Sequence, residues 1–395
     1  MRNLSNDLQL RREQSMYRQR LINESPAGVE VTVDGKNFIS FCSNDYLGLA
    51  NDQALRDACK AGIDQYGVGS GASQLISGYQ TPHHDLECAL ADFLRRPRAL
   101  LFSTGYMANL GVVSALMKKG DHVFEDRLNH ASLIDGARLC DADLHRYSHN
   151  SSESLLTLQN NFSANESLTI SDAVFSMDGD LADIPGLVKC SSTNNSTLMI
   201  DDAHGIGVLG KQGRGTLSHF NIDDVQANKQ VPILVGTFGK AFGTFGAFVA
   251  GSEELIETLV QSARSLIYTT APPAAIAVAT LESLNLIRSQ NWRREQLHAR
   301  IVQLQSGLSQ LGIKHNGNIS AIQPVITGSA AAATRLSEQL RQRGIIISAI
   351  RPPTVPENTS RLRITLSALH TEQHIEQLLS ALDELDVASG QVVEV

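Results

Sequence analysis

Lys240 is the residue of this sequence whose surroundings best suit covalent chemistry. It lies in the segment TFGKAFG, residues 237–243, directly after the apolar run 233–235, which predicts a buried strand. A lysine amine has an ordinary pKa of about 10.4, so it attacks a carbonyl readily only when it is desolvated or already joined to a cofactor as an imine. Glycines on both sides leave room for a planar molecule. A glycine-rich turn with one lysine is more often a plain surface loop, so other stretches must support a cofactor site.

Polar side chains at three further strand ends suit the ring of pyridoxal phosphate (PLP). Asp201 ends the apolar run LMID, about one strand–helix–strand unit before Lys240. A carboxylate beside the pyridine nitrogen keeps the ring protonated, which makes it an electron sink. His130 in NHAS could stack on the ring, and Ser176 in VFSMDGD could donate to the ring oxygen. Taken singly, these residues are also typical of a helix cap, a structural histidine and an ordinary turn.

The segment STGY, residues 103–106, predicts a place for the phosphate. It stands at a strand-to-helix junction, where Gly105 leaves backbone N–H groups accessible at the positive end of a helix dipole. The hydroxyl of Thr237, three residues before Lys240, could donate to the same phosphate. As a single motif, the segment is an ordinary glycine turn.

Composition excludes several classes of protein. The chain has 395 residues, of which 42% are hydrophobic and 19% charged, and these values are typical of a globular protein. The net charge of −8 argues against a nucleic-acid partner. The sequence has neither a long apolar span nor the apolar core of a signal peptide, so we expect a cytoplasmic protein without a membrane contact. Five scattered cysteines and the pair His83-His84 have no metal-ligand spacing, so we expect reduced thiols and no metal.

From residue 99 onward, short apolar runs alternate with helical stretches. This pattern predicts a mostly parallel sheet covered by helices on both faces, with ligands at the carboxyl ends of the strands. The predicted strands are residues 99–103, 122–125, 142–147, 173–175, 198–201, 233–235 and 247–250.

The two ends of the chain predict smaller elements. Residues 6–21 predict an amphipathic helix, and residues 29–33 and 38–41 predict a hairpin around Asp34-Gly35. A long helical stretch is expected to run to about residue 311, followed by a small α+β unit. The predicted domains are an N-terminal arm and hairpin over 1–45, a large cofactor domain over 46–287 and a C-terminal domain over 288–395.

Taken together, residues 43–370 resemble the α-oxoamine synthase family of PLP enzymes. The resembling segments, in collinear order, are SNDYLGL, GSGAS, ISGY, RALLFSTGYMAN, DRLNHASL, VFSMDGD, IDDAHGIGVLG, TFGKAFG, IYTTAPP, IRPPTVP and RLRITLSALH. The resemblance implies PLP-dependent fold type I: a large α/β domain around a seven-stranded, mostly parallel sheet, a smaller C-terminal α+β domain, and a homodimer.

The resemblance also implies a role for each candidate site residue. Lys240 would bind PLP covalently and, with Asp201, His130 and His204, act in catalysis. Asp201 would pair with the pyridine nitrogen, Ser176 and His204 would contact the ring hydroxyl, and His130 would stack on the ring. The phosphate would be held by Gly105, Tyr106, Thr237 and, from the neighbouring subunit, Thr270. The family usually has Glu where this chain has Asp172, which leaves any polar contact from that position open.

The segment IRPPTVP, residues 350–356, narrows the implied reaction. It favours a member that condenses L-alanine with a pimeloyl thioester of coenzyme A or acyl carrier protein, with loss of CO2, in biotin synthesis. The implied substrate-binding residues are Arg18, Asn44, His130, Thr354 and Arg361. Spacing does not separate Arg361 from Arg363, because residues two apart share a face of a strand, although we favour Arg361 for the alanine carboxylate. A glycine- or serine-using synthase and a non-catalytic subunit of the same fold are the alternatives.

Overall fold

The computed structural model describes residues 4–14, 16–162 and 166–387. The chain divides into two compact units. The terminal unit draws its residues from Met1–Gly48, Met177–Asp180 and Trp292–Val395, and the central unit draws them from Leu49–Ser176 and Leu181–Asn291. The predicted N-terminal arm and hairpin are therefore grouped with the C-terminal region.

Thirteen strands are found in the described residues. They are β1 (Glu30–Val33), β2 (Lys36–Ser40), β3 (Arg98–Phe102), β4 (His122–Asp126), β5 (Asp143–Tyr147), β6 (Ser167–Asp172), β7 (Thr197–Asp201), β8 (Ile233–Thr237), β9 (Ala247–Gly251), β10 (Ile322–Gly328), β11 (Ile345–Ile346), β12 (Ser348–Ile350) and β13 (Ser360–Thr365).

The same described residues form fifteen α-helices. They are α1 (Leu4–Glu13), α2 (Gln53–Tyr66), α3 (Thr81–Leu94), α4 (Gly105–Leu116), α5 (Ala131–Leu139), α6 (Ser152–Asn161), α7 (Ile184–Thr193), α8 (Thr216–His219), α9 (Asp224–Gln230), α10 (Glu253–Ser262), α11 (Arg264–Ile267), α12 (Ala274–Ser289), α13 (Trp292–Gln310), α14 (Ala330–Gln342) and α15 (Glu372–Glu384).

The central unit is built on a seven-stranded sheet in the order β3-β9-β8-β7-β6-β4-β5. Strand β9 is antiparallel to both of its neighbours, and the other pairs are parallel. Helices α4 and α5 contribute to a buried apolar core that includes Val112, Leu133, Met199 and Val249. The predicted seven-stranded, mostly parallel sheet is confirmed, so its strand ends share one edge.

One predicted strand was placed wrongly. Residues 173–175 follow the strand β6, and Val174 makes only an isolated bridge to Leu181. The sequence SLTISD of β6 is more polar than the apolar runs that predict buried strands, but its hydroxyls have hydrogen-bond partners. Thr169 Oγ1 lies 2.8 Å from Ser196 Oγ, and Ser171 Oγ donates to the Asp172 carbonyl over 2.8 Å. Burying a hydroxyl costs little free energy when it has a hydrogen-bond partner, so a strand can be buried without an apolar sequence. A search for apolar runs therefore did not identify β6.

The N-terminal helix is shorter than predicted. Helix α1 ends at Glu13, and none of its described residues is buried. Beyond it, the Arg351 side chain donates to the Tyr17 carbonyl over 3.4 Å, which holds the chain in a non-helical course. The predicted long helix to residue 311 is likewise divided into α12 and α13 between Ser289 and Trp292.

The terminal unit contains two three-stranded sheets, β1-β2-β11 and β10-β13-β12. The predicted hairpin is confirmed, because Val33 pairs with Lys36 across the turn. Asp34 and Gly35 have φ values of 51° and 69°, which match the Asp-Gly preference of such turns. Within the described part of the chain, no helix combines the length and apolarity needed to cross a membrane.

Candidate active site

Five predicted or flagged residues lie at the carboxyl ends of strands of the central sheet. Lys240 follows β8, Asp201 ends β7, Asp172 ends β6, His130 follows β4 and Gly105 opens the helix after β3. The sheet therefore brings together, at one edge, side chains that are far apart in the sequence. This is the edge at which ligands bind in parallel sheets.

Lys240 is half-buried in a tight loop that requires glycine at one position. The Gly243 N–H donates to the Lys240 carbonyl over 2.9 Å. Gly243 has a φ of +65°, and a Cβ added there would lie 2.4 Å from the Ala50 backbone nitrogen. Only glycine fits this turn, which is why the motif places Gly three residues after the lysine.

The Asp201 carboxylate is held by one donor on each oxygen. Asn109 Nδ2 donates to Oδ2 over 2.7 Å, and the Ala203 N–H donates to Oδ1 over 3.0 Å. Asp201 is only 5% exposed, so these bonds fix its direction. Sequence reasoning missed Asn109, although it stands four residues after Gly105 in α4 and so shares a helix face with it.

The next residue, Asp202, is held differently. Its Oδ2 accepts from the Thr216 N–H over 2.7 Å, and it is fully buried. Burial raises the pKa of Asp202 to about 7. The two adjacent aspartates therefore have separate sets of partners, and Asp202 is engaged with the start of α8.

Asp172, where the family usually has Glu, makes a polar contact after all. Its Oδ2 accepts from the His130 backbone N–H over 2.6 Å, and its own N–H donates to Asn129 Oδ1 over 3.0 Å. Burial, together with the negative charge of Asp201, raises the pKa of Asp172 well above its ordinary value. Asp172 thus anchors the start of α5, which carries His130 as its N-cap.

The His130 ring is exposed and makes an edge-on contact with Tyr106. The two ring centroids are 6.3 Å apart at an interplanar angle of 78°. Desolvation by the surrounding protein lowers the pKa of His130, and the positive charge of Lys240 lowers it further, against the opposing effect of Asp201. A neutral imidazole with an open face is suited to stack on a pyridine ring.

The loop between β3 and α4 forms a close cradle with Thr237. A Cβ added to Gly105 would lie 2.6 Å from Thr237 Cγ2, so a side chain there would fill the space. Thr237 Oγ1 is buried and has no hydrogen-bond partner among the described residues. An unsatisfied buried hydroxyl beside helix N–H groups fits a phosphate. Tyr106, also predicted at the phosphate, instead donates its hydroxyl to Asp135.

The remaining predicted cofactor residues lie in the central unit, outside its named helices and strands. Ser176 follows β6, and His204, only 8% exposed, follows β7. The Thr270 carbonyl accepts from Ser103 Oγ over 3.4 Å, so the backbone of Thr270 lies near the Gly105 turn of its own chain. Their roles toward ring and phosphate stay predictions.

Four predicted substrate residues belong to the terminal unit. Arg18 Nη2 donates to Thr354 Oγ1 over 3.3 Å, which brings together two residues that are 336 positions apart. Asn44 Oδ1 accepts from Arg363 Nη2 over 3.2 Å. Arg361, the preferred partner for the alanine carboxylate, instead forms a salt bridge with Asp178.

Arg361 is already engaged by other groups of the terminal unit. Its guanidinium is 5% exposed, pairs with Asp178 and donates through Nε to the Thr359 carbonyl over 3.0 Å. A guanidinium already committed to a carboxylate is poorly suited to receive a second one. Arg361 and Arg363 therefore differ in their partners, which are the Asp178 carboxylate for the first and the Asn44 amide oxygen for the second.

The sheet order, the lysine after β8 and the carboxylate at the end of β7 define a PLP-dependent enzyme of fold type I. The residues present fit the cofactor: Asp201 is aimed by two donors, Thr237 has an unsatisfied hydroxyl, and Gly105 leaves space beside it. The sequence pattern of the aminotransferase class I and II family matches residues 36–382.

Comparison with characterised proteins narrows the class. The chain is 54% identical over 376 residues to 8-amino-7-oxononanoate synthase of Nitrosococcus oceani, covering 95% of this chain and 99% of that protein. It is 54% identical over 374 residues to the synthase of Pseudomonas putida, covering 95% of each. The chain belongs to the 8-amino-7-oxononanoate synthase family, within the aminotransferases of class I and II.

Solved structures agree on the fold. Serine palmitoyltransferase from S. paucimobilis, with a bound PLP–myriocin aldimine, superposes with a TM-score of 0.92 at 28% identity, covering 99% of this chain and 98% of that chain. 8-Amino-7-oxononanoate synthase from Francisella tularensis superposes with a TM-score of 0.76 at 34% identity, covering 88% and 97%. PLP is therefore the cofactor of this fold and of this chain.

Proposed function

We propose that the chain condenses L-alanine with a pimeloyl thioester to give 8-amino-7-oxononanoate, CO2 and the free thiol carrier. The observation that carries the proposal is the 54% identity with 8-amino-7-oxononanoate synthases over 95% of the chain. Identity with the serine palmitoyltransferase is only 28%, although its fold superposes well. Side chains at the site, rather than the shared fold, distinguish substrates.

PLP, when bound, withdraws electrons from the amino acid, so that bonds at its Cα can break and re-form. Lys240 would hold the cofactor through Nζ and, once displaced by alanine, would use the same nitrogen to remove the Cα proton and later return one. Asp201 would hold the proton on the pyridine nitrogen. His130 would stack on the ring, while Thr237 and the Gly105 turn would hold the phosphate.

The alanine carboxylate needs a cationic partner, and Arg363 is the best candidate. Its Nη2 donates to Asn44 Oδ1, and its Nη1 donates to Thr365 Oγ1 over 2.8 Å. These bonds fix the plane of the guanidinium, which suits bidentate recognition of a carboxylate. Asn44 would then contribute its amide to the same carboxylate.

Arg18 and Thr354 are proposed to bind the distant carboxylate of the pimeloyl group. They are joined by a hydrogen bond of 3.3 Å, and Arg18 is exposed. A carboxylate gains from a charge-assisted hydrogen bond with a guanidinium, whereas an alkyl end gains nothing from it. This pair would therefore select the acid-ended chain over one of equal length without the acid.

A serine-using acyltransferase is the second candidate, favoured by the TM-score of 0.92 with the serine palmitoyltransferase. In the test, the PLP-loaded enzyme is incubated with alanine, serine or glycine and with a pimeloyl or a palmitoyl thioester. The product is identified by mass spectrometry, and the released thiol is measured with a colorimetric reagent. Formation of 8-amino-7-oxononanoate from alanine and the pimeloyl thioester alone is expected, and Lys240→Ala should abolish it. Preference for serine with the palmitoyl thioester would contradict the proposal.

The working unit is proposed to be a homodimer in which Thr270 reaches the partner's phosphate. Large apolar side chains near Thr270 support this, since Ile76 is 79% and Tyr268 72% exposed in the single chain. Mixing inactive Lys240→Ala with inactive Thr270→Ala chains should restore part of the activity. No recovery at any mixing ratio would contradict a shared site.

A further inference from the structure

Two residues that the motifs did not single out, Asn109 and Ser132, connect Asp201 to His130. The Asn109 amide donates one proton to Asp201 Oδ2 over 2.7 Å and another to Ser132 Oγ over 2.9 Å. Ser132 Oγ in turn lies 2.7 Å from His130 Nδ1. Asn109 is 1% and Ser132 0% exposed, so bulk water does not compete for these bonds.

The direction of each hydrogen bond follows from the groups involved. The Ser132 backbone N–H lies 3.3 Å from His130 Nδ1 and can only donate, so Nδ1 must accept. Ser132 Oγ accepts from Asn109, which leaves its own proton for Nδ1. With two donors aimed at Nδ1, the proton of a neutral His130 ring belongs on Nε2.

We propose that Ser132 and Asn109 are positioning residues that hold His130 as the neutral Nε2–H tautomer beside Asp201. The proposal rests on the proposed function, in which His130 lies against the cofactor ring. An imidazolium at this place would partly cancel the negative charge that Asp201 presents to the pyridine nitrogen. A neutral ring leaves that charge intact.

The groups around His130 have opposing effects on its pKa. The charged or titratable groups that face or contact it are Asp201 on β7, Asp135 on α5, Lys240 after β8, Asp172 on β6 and Tyr106 on α4. The carboxylates of Asp201 and Asp135 favour the imidazolium, whereas desolvation and Lys240 lower the pKa of His130. The two donors on Nδ1 act with the latter, because a protonated Nδ1 would face the Ser132 N–H.

The test reads the protonation of His130 directly. The PLP-loaded enzyme is labelled with [15N]histidine and followed by NMR from pH 5 to 8, and His130→Gln identifies the signal among the 12 histidines. At pH 7 the parent should carry a proton on Nε2 alone. Ser132→Ala should raise the titration midpoint of His130 by about 0.4–1 pH unit, the effect of losing one neutral hydrogen bond to Nδ1.

Two variants separate this role from a structural one. Ser132→Thr keeps the hydroxyl and should retain the parental midpoint. Ser265→Ala removes another serine hydroxyl bonded to helix α4, at the Met107 carbonyl, and should leave His130 unchanged. A proton on Nδ1 in the parent at pH 7 would overturn the proposal, even if Ser132→Ala does not fold. An unchanged midpoint in a folded Ser132→Ala enzyme would also overturn it, and neither reading depends on which product is formed.

Discussion

Asp172 and Asp201 stand opposite each other on the neighbouring parallel strands β6 and β7. Burial and the charge of Asp201 raise the pKa of Asp172 well above its ordinary value, so Asp172 holds its proton more tightly in the folded than in the unfolded protein. Asp172 accepts the His130 N–H, while Asp201 accepts from Asn109. One carboxyl group of the pair thus positions a backbone, and the other is the one that we propose to pair with the pyridine nitrogen of the cofactor.

Asp172→Asn should reduce the pH dependence of stability. The pKa of Asp172 is raised on folding, so the folded state keeps a proton that the unfolded state loses above about pH 3.9. The free energy of unfolding of the parent therefore falls as the pH rises from about 3.9 through the pKa of the folded state. The fall is at most about 1.4 kcal/mol per pH unit for one proton. Asn keeps an oxygen for the His130 N–H without titrating.

Urea midpoints at pH 5 and pH 8 measure this effect. Asp172→Ala is the control, because it leaves the His130 N–H unpaired and should lose about 1–3 kcal/mol at both pH values. Equal pH slopes for the parent and Asp172→Asn would contradict the prediction.

Asp201→Asn should slow exchange of the alanine Cα proton, and Asp202→Asn should not. Asp201 is the carboxylate expected at the pyridine nitrogen, and removing its charge from that bond should slow exchange by about 10- to 150-fold. Asp202 is bonded to Thr216 instead. Proton NMR in D2O follows the exchange with alanine alone, and a larger loss in Asp202→Asn would reverse the assignment.

Arg363→Ala should lower kcat/KM for alanine by about 10- to 150-fold, the effect of losing a charge-assisted hydrogen bond. Arg361→Ala should instead lower the free energy of unfolding, because it leaves Asp178 without its partner. The two variants lie on one strand and remove the same side chain, so each is the matched control of the other. If Arg361→Ala loses more kcat/KM for alanine than Arg363→Ala, then Arg361 is the residue that binds the alanine carboxylate.

Arg18→Ala should penalise the acid-ended acyl chain selectively. Its kcat/KM for the pimeloyl thioester should fall by about 10- to 150-fold, which corresponds to about 1.5–3 kcal/mol of transition-state stabilisation, and its kcat/KM for a methyl-ended thioester of similar length should change little. Thr354→Val, which removes only the hydroxyl bonded to Arg18, should give a smaller loss of the same kind. Equal losses on both thioesters would place Arg18 outside the acyl site.

Glu125→Gln should stabilise the protein at alkaline pH and not at acid pH. Glu125 is fully buried, both of its carboxylate oxygens lack a partner within the described residues, and burial raises its pKa to about 7. Its pKa is higher in the folded than in the unfolded state, so the parent loses stability between about pH 4.5 and pH 7, to a total of about 3 kcal/mol.

Urea midpoints across pH 5 to 8 check the Glu125 prediction. The parent and Glu125→Gln should agree at pH 5 and separate by pH 8. The exposed Glu376→Gln variant controls for the change of residue type. Parallel curves for the parent and Glu125→Gln would show that Glu125 does not titrate differently in the folded and unfolded protein between pH 5 and 8, which would contradict the prediction.

Local patterns sufficed to predict that Lys240 and Asp201 lie at strand ends. Each follows or ends an apolar strand, and the alternation of strands and helices implies a parallel sheet whose carboxyl ends share an edge. The Asp34-Gly35 hairpin was equally predictable, because its turn depends on two adjacent residues. These features depend on residues that are neighbours in the chain, so the sequence is enough to predict them.

Tertiary structure decided what depends on distant contacts. Arg361 and Arg363 are equivalent by spacing, and only the partners supplied by Asp178 and Asn44 distinguish them. The strand β6 was not predicted because its polar residues are buried, and the sequence does not show their hydrogen-bond partners. Thr169, for example, is bonded to Gln159 and Ser196. Asn109 meets Asp201 only when α4 packs on the sheet beside β8 and brings its amide to a carboxylate 92 positions away in the chain. A hydrogen bond depends on where two groups meet in space, and packing determines that position.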